Sequence, residues 1–255
     1  MNIELPLRAF QAQVDIMEQV IRLLVGSLAQ PTMRRINSDR GYRFDEPTIH
    51  HFCLLKAVRV VSALNASIEL ARRGYTQEIA VLMRTVAEFT THIEFVLDID
   101  DSAEQQLKVK NYIEAFFADS RRDPEAELKK AQIPQGVVHA SIGKTLDKLM
   151  SEEAGGLEGR APAAGLNSNV YRIYSNYVHG KYPEIMDLYG GTPGQFHLHG
   201  MSGTPKDREN IAALDAFVTS ASNTFIRIVQ CLNLHDRVAA DPVLDVWYKE
   251  GVSGY

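Results

Sequence analysis

Cysteine is scarce in this sequence: Cys53 and Cys231 are the only two among 255 residues. Neither belongs to a C-x-x-C pair, so the usual zinc and thiol-redox spacings are excluded. Both stand among apolar residues at helical spacing and are expected as small core side chains. Long apolar runs are missing too. None approaches the roughly 18 residues of a membrane-spanning helix. Residues 1–6 carry no basic stretch followed by an apolar block, so no secretory signal is expected and a cytoplasmic location is the default. Positive charge is not in excess, since 27 Lys and Arg face 32 Asp and Glu for a net charge of −5. That excludes the overall basic character of many nucleic-acid-binding proteins and leaves a local basic patch open. P-loop, dinucleotide-fingerprint, nucleophile-elbow and H-E-x-x-H motifs are all absent. Gly155, Gly156 and Gly159 lack a preceding strand and a following lysine, so they form no phosphate loop.

What is present is helical patterning. Hydrophobic residues make up 45% and charged residues 23%, ordinary for a globular chain that is long enough to build a core without staples. Phe10, Val14, Met17, Ile21 and Leu24 mark a first amphipathic helix over about residues 6–28. Residues 30–46, with Arg34, Arg35, Arg40 and Arg43 among Pro31, Asn37 and Gly41, read as a basic linker loop, either a solvated surface or an anion site. Glu46-Pro47 opens a second helix, with Phe52, Leu55, Val58, Val61, Leu64 and Ile68 inward and Gly74 at its end. A third helix runs from about Thr76 to Leu97 on Ile79, Leu82, Met83, Val86, Phe89, Ile93 and Val96. The short link predicts an antiparallel hairpin of these two helices.

Farther on, residues 101–131 are charged and helical, with Leu107, Tyr112, Ile113 and Phe116 inward. Another helix is expected over residues 136–150, followed by a flexible loop at 151–166. The helix holding Val170 comes next, then a glycine-rich insertion over 180–205 in which Gln195 to His199 alternates as a short strand or extended edge. A long helix spans about Lys206 to Arg237, and a short tail near Val243 to Tyr248 carries Trp247. No internal repeat is found. The fold expected is all-α, a single-domain multi-helix bundle over residues 1–255 with a glycine-rich loop or short hairpin excursion.

Two polar stripes stand out. Arg84, Glu88 and His92 lie four residues apart on the third helix, nearly on one line of its surface. Apolar neighbours put the Arg84–Glu88 pair either at the edge of the core or on the solvent side. Tyr171, Ser175 and His179 form the second stripe, with Arg172 and Asn176 on the adjacent line. Gly180 follows His179 in the position of a helix C-cap. Arg172 and His179 are seven residues apart, two turns of helix, so both project from one side. An arginine there supplies a fixed cation for a phosphate, and a histidine moves protons near neutral pH. The alternative is scaffolding: Arg172 on a carboxylate, His179 on a backbone carbonyl, and Tyr171, Tyr174 and Tyr177 as core-edge aromatics.

The Arg172–His179 spacing resembles the R-x(4–6)-H motif of the HEPN superfamily of small helical proteins, many of them metal-independent ribonucleases of toxin or phage-defence systems. Ile173 departs from that motif, which usually carries a polar residue directly after the arginine. Arg84-Thr85-Val86-Ala87-Glu88 together with Ser175-Asn176-Tyr177-Val178-His179-Gly180 also resembles a bacterial helical family of unknown function, with an R-x-x-x-E helix followed by an S-x-x-V-H-G helix. The HEPN resemblance implies RNA cleavage by catalytic Arg172 and His179, oriented by Ser175 and Asn176. Arg84, Glu88, His92 and Tyr171 would form a supporting network. RNA, a second copy of the chain or another protein are the partners expected, and no membrane. The competing class is a non-catalytic interaction or dimerisation module whose Arg/Glu/Ser/His stripes are a structural hydrogen-bond network.

No cofactor and no metal are expected. The one candidate metal pair is His197 and His199, whose alternation places both on one face of a strand, with His179 or Asp187 as further donors. A Glu-x-x-His pair repeated on facing helices, as in carboxylate-bridged bundles, is not found. His92 is placed to meet His179 across a helix pair.

Overall fold

A computed structural model describes residues 2–36, 39–45, 48–98, 102–117, 174–190 and 195–253. The helix expected at 136–150, the loop at 151–166 and the residues Tyr171, Arg172 and Ile173 lie outside the described residues.

The chain forms an all-α multi-helix fold, with one small sheet among the described residues. Helix α1 (Glu4–Val25) presents Leu7, Phe10, Val14, Met17, Val20 and Leu24 to the core. Residues 30–46 are not the linker loop their composition suggests. They contain an antiparallel ribbon, β1 (Thr32–Ile36) against β2 (Asp39–Arg43). Arginine and glycine obscured the strands, but Thr32, Met33, Tyr42 and Arg43 are compatible with a pleated, half-exposed surface.

Helix α2 (Ile49–Arg73) starts two residues later than the proline suggested. Its cap is Thr48, whose backbone N–H donates to His51 Nδ1 at 3.1 Å; His51 stands where a capping box usually carries Glu or Gln. Helix α2 is the central element, packed on α1, on α3 (Thr76–Leu97) and on the long C-terminal helix. Being surrounded, it buries more than one stripe: Cys53, Leu54, Lys56, Ala57 and Val60 are inside as well as Phe52, Val61, Leu64 and Ile68. Val58, expected inward, is exposed.

The α2–α3 hairpin is as predicted, and its turn is unusually tight. Gly74 adopts φ +71°, and Met201 N–H donates to its carbonyl at 2.8 Å. A Cβ on Gly74 would stand 2.2 Å from Ser202 N, and one on Gly200 would stand 1.9 Å from Arg73 O. Two backbones meet here because neither glycine carries a side chain. The end of the glycine-rich segment is therefore a clasp on the α2–α3 turn.

Helix α4 (Ala103–Phe117) follows. It buries Val109, whereas Leu107, expected inward, is exposed. Residues 174–178 are helical and lead to the short α5 (Tyr182–Met186). In place of a strand at 195–199 there is a single antiparallel bridge, Tyr189 to Phe196. Helix α6 (Lys206–Cys231) carries Leu214, Phe217, Val218, Phe225, Ile228 and Val229 inward. It ends six residues short of the expected Arg237, since Asn233 takes a left-handed φ of 55°, a conformation that asparagine tolerates well. Cys231, expected in the core, is exposed, and Cys53 is buried.

Helices α7 (His235–Ala239) and α8 (Pro242–Ser253) complete the chain. The expected short tail is thus helical. Asp241 Oδ1 accepts the N–H groups of Val243 at 2.9 Å and Leu244 at 3.2 Å, and Pro242 fits the first turn. Trp247 is buried with its indole N–H on Ser222 Oγ at 3.0 Å. No helix among the described residues is long and apolar enough to cross a membrane.

Candidate functional site

Two polar regions emerge, one inside the bundle and one at its surface. The inner region is built on α2, α3 and α4. Phe52 and Lys56 are four residues apart on α2, so they share a line on that helix. Phe89 from α3 and Phe116 from α4 close around the lysine. Its Nζ lies 5.5 Å from the Phe52 ring centre and 4.5 Å from those of Phe89 and Phe116. Lys56 is only 8% exposed. Three ring faces partly replace the water the ammonium has lost. The replacement is incomplete: burial holds the Lys56 pKa down at about 8, against 10.5 in water, with the Glu88 carboxylate opposing the drop.

Glu88 connects this cage to the first predicted stripe. Arg84 Nη1 donates to Glu88 Oε2 across one turn of α3. The side chains are 14% and 23% exposed, which places the pair at the edge of the core and not on the solvent side. His92, the third member of the stripe, is buried and packs against Phe89 and, edge-on at 5.6 Å, against Tyr112 of α4. Burial and then the Glu88 charge push the Tyr112 phenol above its usual range. Lys56, Arg84, Glu88, His92 and Tyr112 therefore form one polar cluster walled by phenylalanines. Lys56 was the member not anticipated. Its signal was a lone lysine inside the apolar run Phe52-Cys53-Leu54-Leu55-Lys56-Ala57-Val58.

The outer region holds the second stripe. The helical turn at 174–178 leans on α6 through Tyr174, edge-on to Phe217 at 5.1 Å. It ends as predicted on Gly180, with φ +55°. Gly180 N–H donates to Tyr177 O and Lys181 N–H to Asn176 O, both at 3.1 Å, the paired bonds of a Schellman cap. Ser175 and Asn176 are half-buried and His179 is exposed at the helix end. Tyr177 O–H donates to Asp187 Oδ2 at 3.1 Å, and Lys206 Nζ reaches Asp187 Oδ1 at 3.3 Å. Burial and then Asp187 raise the Tyr177 pKa. This triad ties the turn to α5 and α6.

The structure thus brings Arg84, Glu88 and His92 together in the interior, whereas Ser175, Asn176 and His179 belong to the surface turn. His92 packs on Tyr112, and His179 stands in solvent. Arg172 and Tyr171 lie outside the described residues. His197 is half-buried, with its backbone N–H donating to Leu188 O at 2.8 Å, and His199 is exposed. Among the described residues no group of three or more His, Cys, Asp or Glu is arranged to hold a metal ion. The third donor that the His197/His199 pair requires is therefore not found among them.

Residues 50–196, more than half of the chain, match a family described as a family of unknown function, DUF5677. No curated protein matches the sequence. No solved structure matches it either. The matched span includes Lys56, Arg84, Glu88, Ser175 and His179.

Proposed function

This chain belongs to the DUF5677 family of unknown function, and we propose that it is an HEPN-like, metal-independent ribonuclease acting in the cytoplasm in phage defence or a toxin system. The observation that supports this reading is the contrast between the two stripes. Arg84, Glu88 and His92 are packed into the bundle, whereas His179 stands in solvent on a turn fixed by the Gly180 cap and the Tyr177–Asp187 bond. A histidine held by its backbone and open to solvent can serve as a proton donor or acceptor to a bound chain.

In this reaction the ribose 2′-hydroxyl loses its proton and attacks phosphorus, and the bond to the 5′-oxygen breaks as that oxygen gains a proton. Arg172 binds the scissile phosphate and His179 carries one of the two protons. Ser175 and Asn176 orient them, while Arg84 and Glu88, packed inside the bundle, take no direct part. The test is cleavage of all-RNA strands and 2′-deoxy strands in EDTA. Cleavage confined to the RNA strands supports the proposal. Cleavage of both, or of RNA only when a divalent ion is added back, contradicts it.

A second reading is a non-catalytic dimerisation or interaction module. Its support is the exposed apolar group beside His179, namely Val178 at 49%, Tyr182 at 77% and Ile185 at 45% exposed, a combination that often marks a contact surface. Light scattering of the wild type and of a Tyr182→Ser/Ile185→Ser variant tests it. A dimer that the variant turns into a monomer supports this reading, and a wild-type monomer at all concentrations opposes it.

A further inference from the structure

Among the described residues the β1–β2 ribbon makes no extensive contact with a helix. A two-stranded ribbon alone is only marginally stable, and this one adds little to the core. It is attached at its base, where Phe44 packs on His51 with ring centres 4.3 Å apart. Its register pairs Met33 with Tyr42 and Arg35 with Arg40, alternating with the pairs Thr32–Arg43 and Arg34–Gly41. Paired residues share a face, so the ribbon has two different sides.

One side carries Arg34 and Arg43. Arg34 is bound by Asp45 and by Thr32, Nε to Oγ1 at 3.1 Å. Arg43 folds back so that its Nη1 donates to Tyr42 O at 2.8 Å. Gly41 permits that fold, since a Cβ there would stand 2.8 Å from Arg43 Nη1. The other side presents Met33 at 53% exposed, Tyr42 at 65% exposed, and the exposed Arg35 and Arg40. On a chain with net charge −5, this is a local cationic and aromatic surface.

We propose that the Met33–Arg35–Arg40–Tyr42 face of the ribbon is a binding surface for single-stranded RNA. The guanidinium groups take phosphates, and Tyr42, flanked by Met33, gives a base a flat platform to stack on. The narrow ribbon follows a flexible strand, and its two arginines form the next pair along the same face from the tyrosine. The inference deepens the ribonuclease reading by adding a substrate-holding surface, and it is tested without cleavage.

The probe is a fluorescein-labelled 12-nucleotide single strand with 2′-O-methyl groups, which lack the attacking hydroxyl; anisotropy is read from 50 to 300 mM salt. Arg35→Gln/Arg40→Gln is expected to weaken binding at least tenfold and to lower the salt slope by about 1.4, since each phosphate contact on a single strand contributes about 0.7. Tyr42→Ala, in which all arginines remain, is expected to weaken binding about tenfold with the slope unchanged. Thermal melting of each variant checks the fold. Wild-type affinity in both variants overturns the proposal, as does the absence of binding by the wild type. So does selective loss of binding to phosphatidylserine vesicles, with RNA binding unaffected. Ribbon-dependent binding without any cleavage of natural RNA sustains this surface and defeats the nuclease reading alone.

Discussion

The Lys56 ammonium on α2 stands 4.5 Å from the centre of the Phe116 ring on α4. This cation–π contact closes the polar cluster from outside, because Phe116 is itself 37% exposed while Lys56 is buried. A lysine kept in such a place opposes folding unless its cage compensates. The cluster is thus a place where the chain gives up stability, which is common where charge is wanted for function.

Lys56→Met follows directly. A pKa depressed from 10.5 to about 8 corresponds to roughly 3 kcal/mol of lost ammonium stabilisation, at about 1.4 kcal/mol per unit. Methionine fills the same space without charge, so the variant is expected to be more stable at pH 7 by about 1–3 kcal/mol. Between about 8 and 10.5 the unfolded lysine holds its proton while the folded one releases it, so wild-type stability gains on the variant as pH rises. Urea unfolding at pH 7 and pH 10 measures the narrowing gap.

Glu88 faces two cations, Arg84 in an ion pair and Lys56 through its field. Glu88→Ala leaves both in the interior and is expected to cost about 3 kcal/mol. Lys56→Met in that background is expected to recover more than it gains in the wild type. A double-mutant cycle between positions 56 and 88 should show a coupling of at least about 1 kcal/mol. A coupling near zero contradicts the cluster.

His51 gives an acid-side prediction. Its Nδ1 accepts the Thr48 N–H and must be unprotonated to do so, and burial, followed by His50, lowers its pKa from 6.5. Above pH 6.5 the folded and unfolded histidines are both neutral and the cap contributes fully. As pH falls below that value the unfolded histidine charges first, so stability declines. His51→Gln, which keeps a capping-box side chain, is expected to flatten this part of the pH–stability curve measured by thermal melting.

The Gly200 clasp predicts a large backbone effect. A methyl group 1.9 Å from Arg73 O cannot be accommodated in place, and φ is +92°. Gly200→Ala is expected to destabilise by about 2–4 kcal/mol. Gly203→Ala, with positive φ but nothing within 4 Å, should cost about 1 kcal/mol. Equal effects at the two positions would show that strain alone acts and the clasp does not.

The helices were legible because their apolar residues repeat at helical spacing. Met17 and Val86 lie where periodicity puts them, and Gly74 and Gly180 end their helices as their residue type suggests. Lys56 was not legible, because its burial depends on Phe89 and Phe116, distant in sequence and close only after folding. The ribbon was hidden for the converse reason. Its strands bury almost nothing, so no alternation of apolar residues reports them, and only the cross-strand register shows that the arginines divide between two faces. For the polar stripes, spacing put Arg84 and Glu88 on one line of α3, while burial separated that packed stripe from the exposed His179.

In the proposed ribonuclease His179 moves a proton in RNA cleavage and Arg172 holds the phosphate. The most direct measurement is the single-turnover cleavage rate of a mixed-sequence RNA in EDTA for wild type, His179→Ala and Arg172→Ala, with matched melting curves. Cleavage by the wild type and a loss of about a hundredfold or more in each variant are expected, the usual scale of a general acid–base contribution. Equal rates in wild type and His179→Ala, or no cleavage by folded wild type across varied RNAs, would contradict this mechanism.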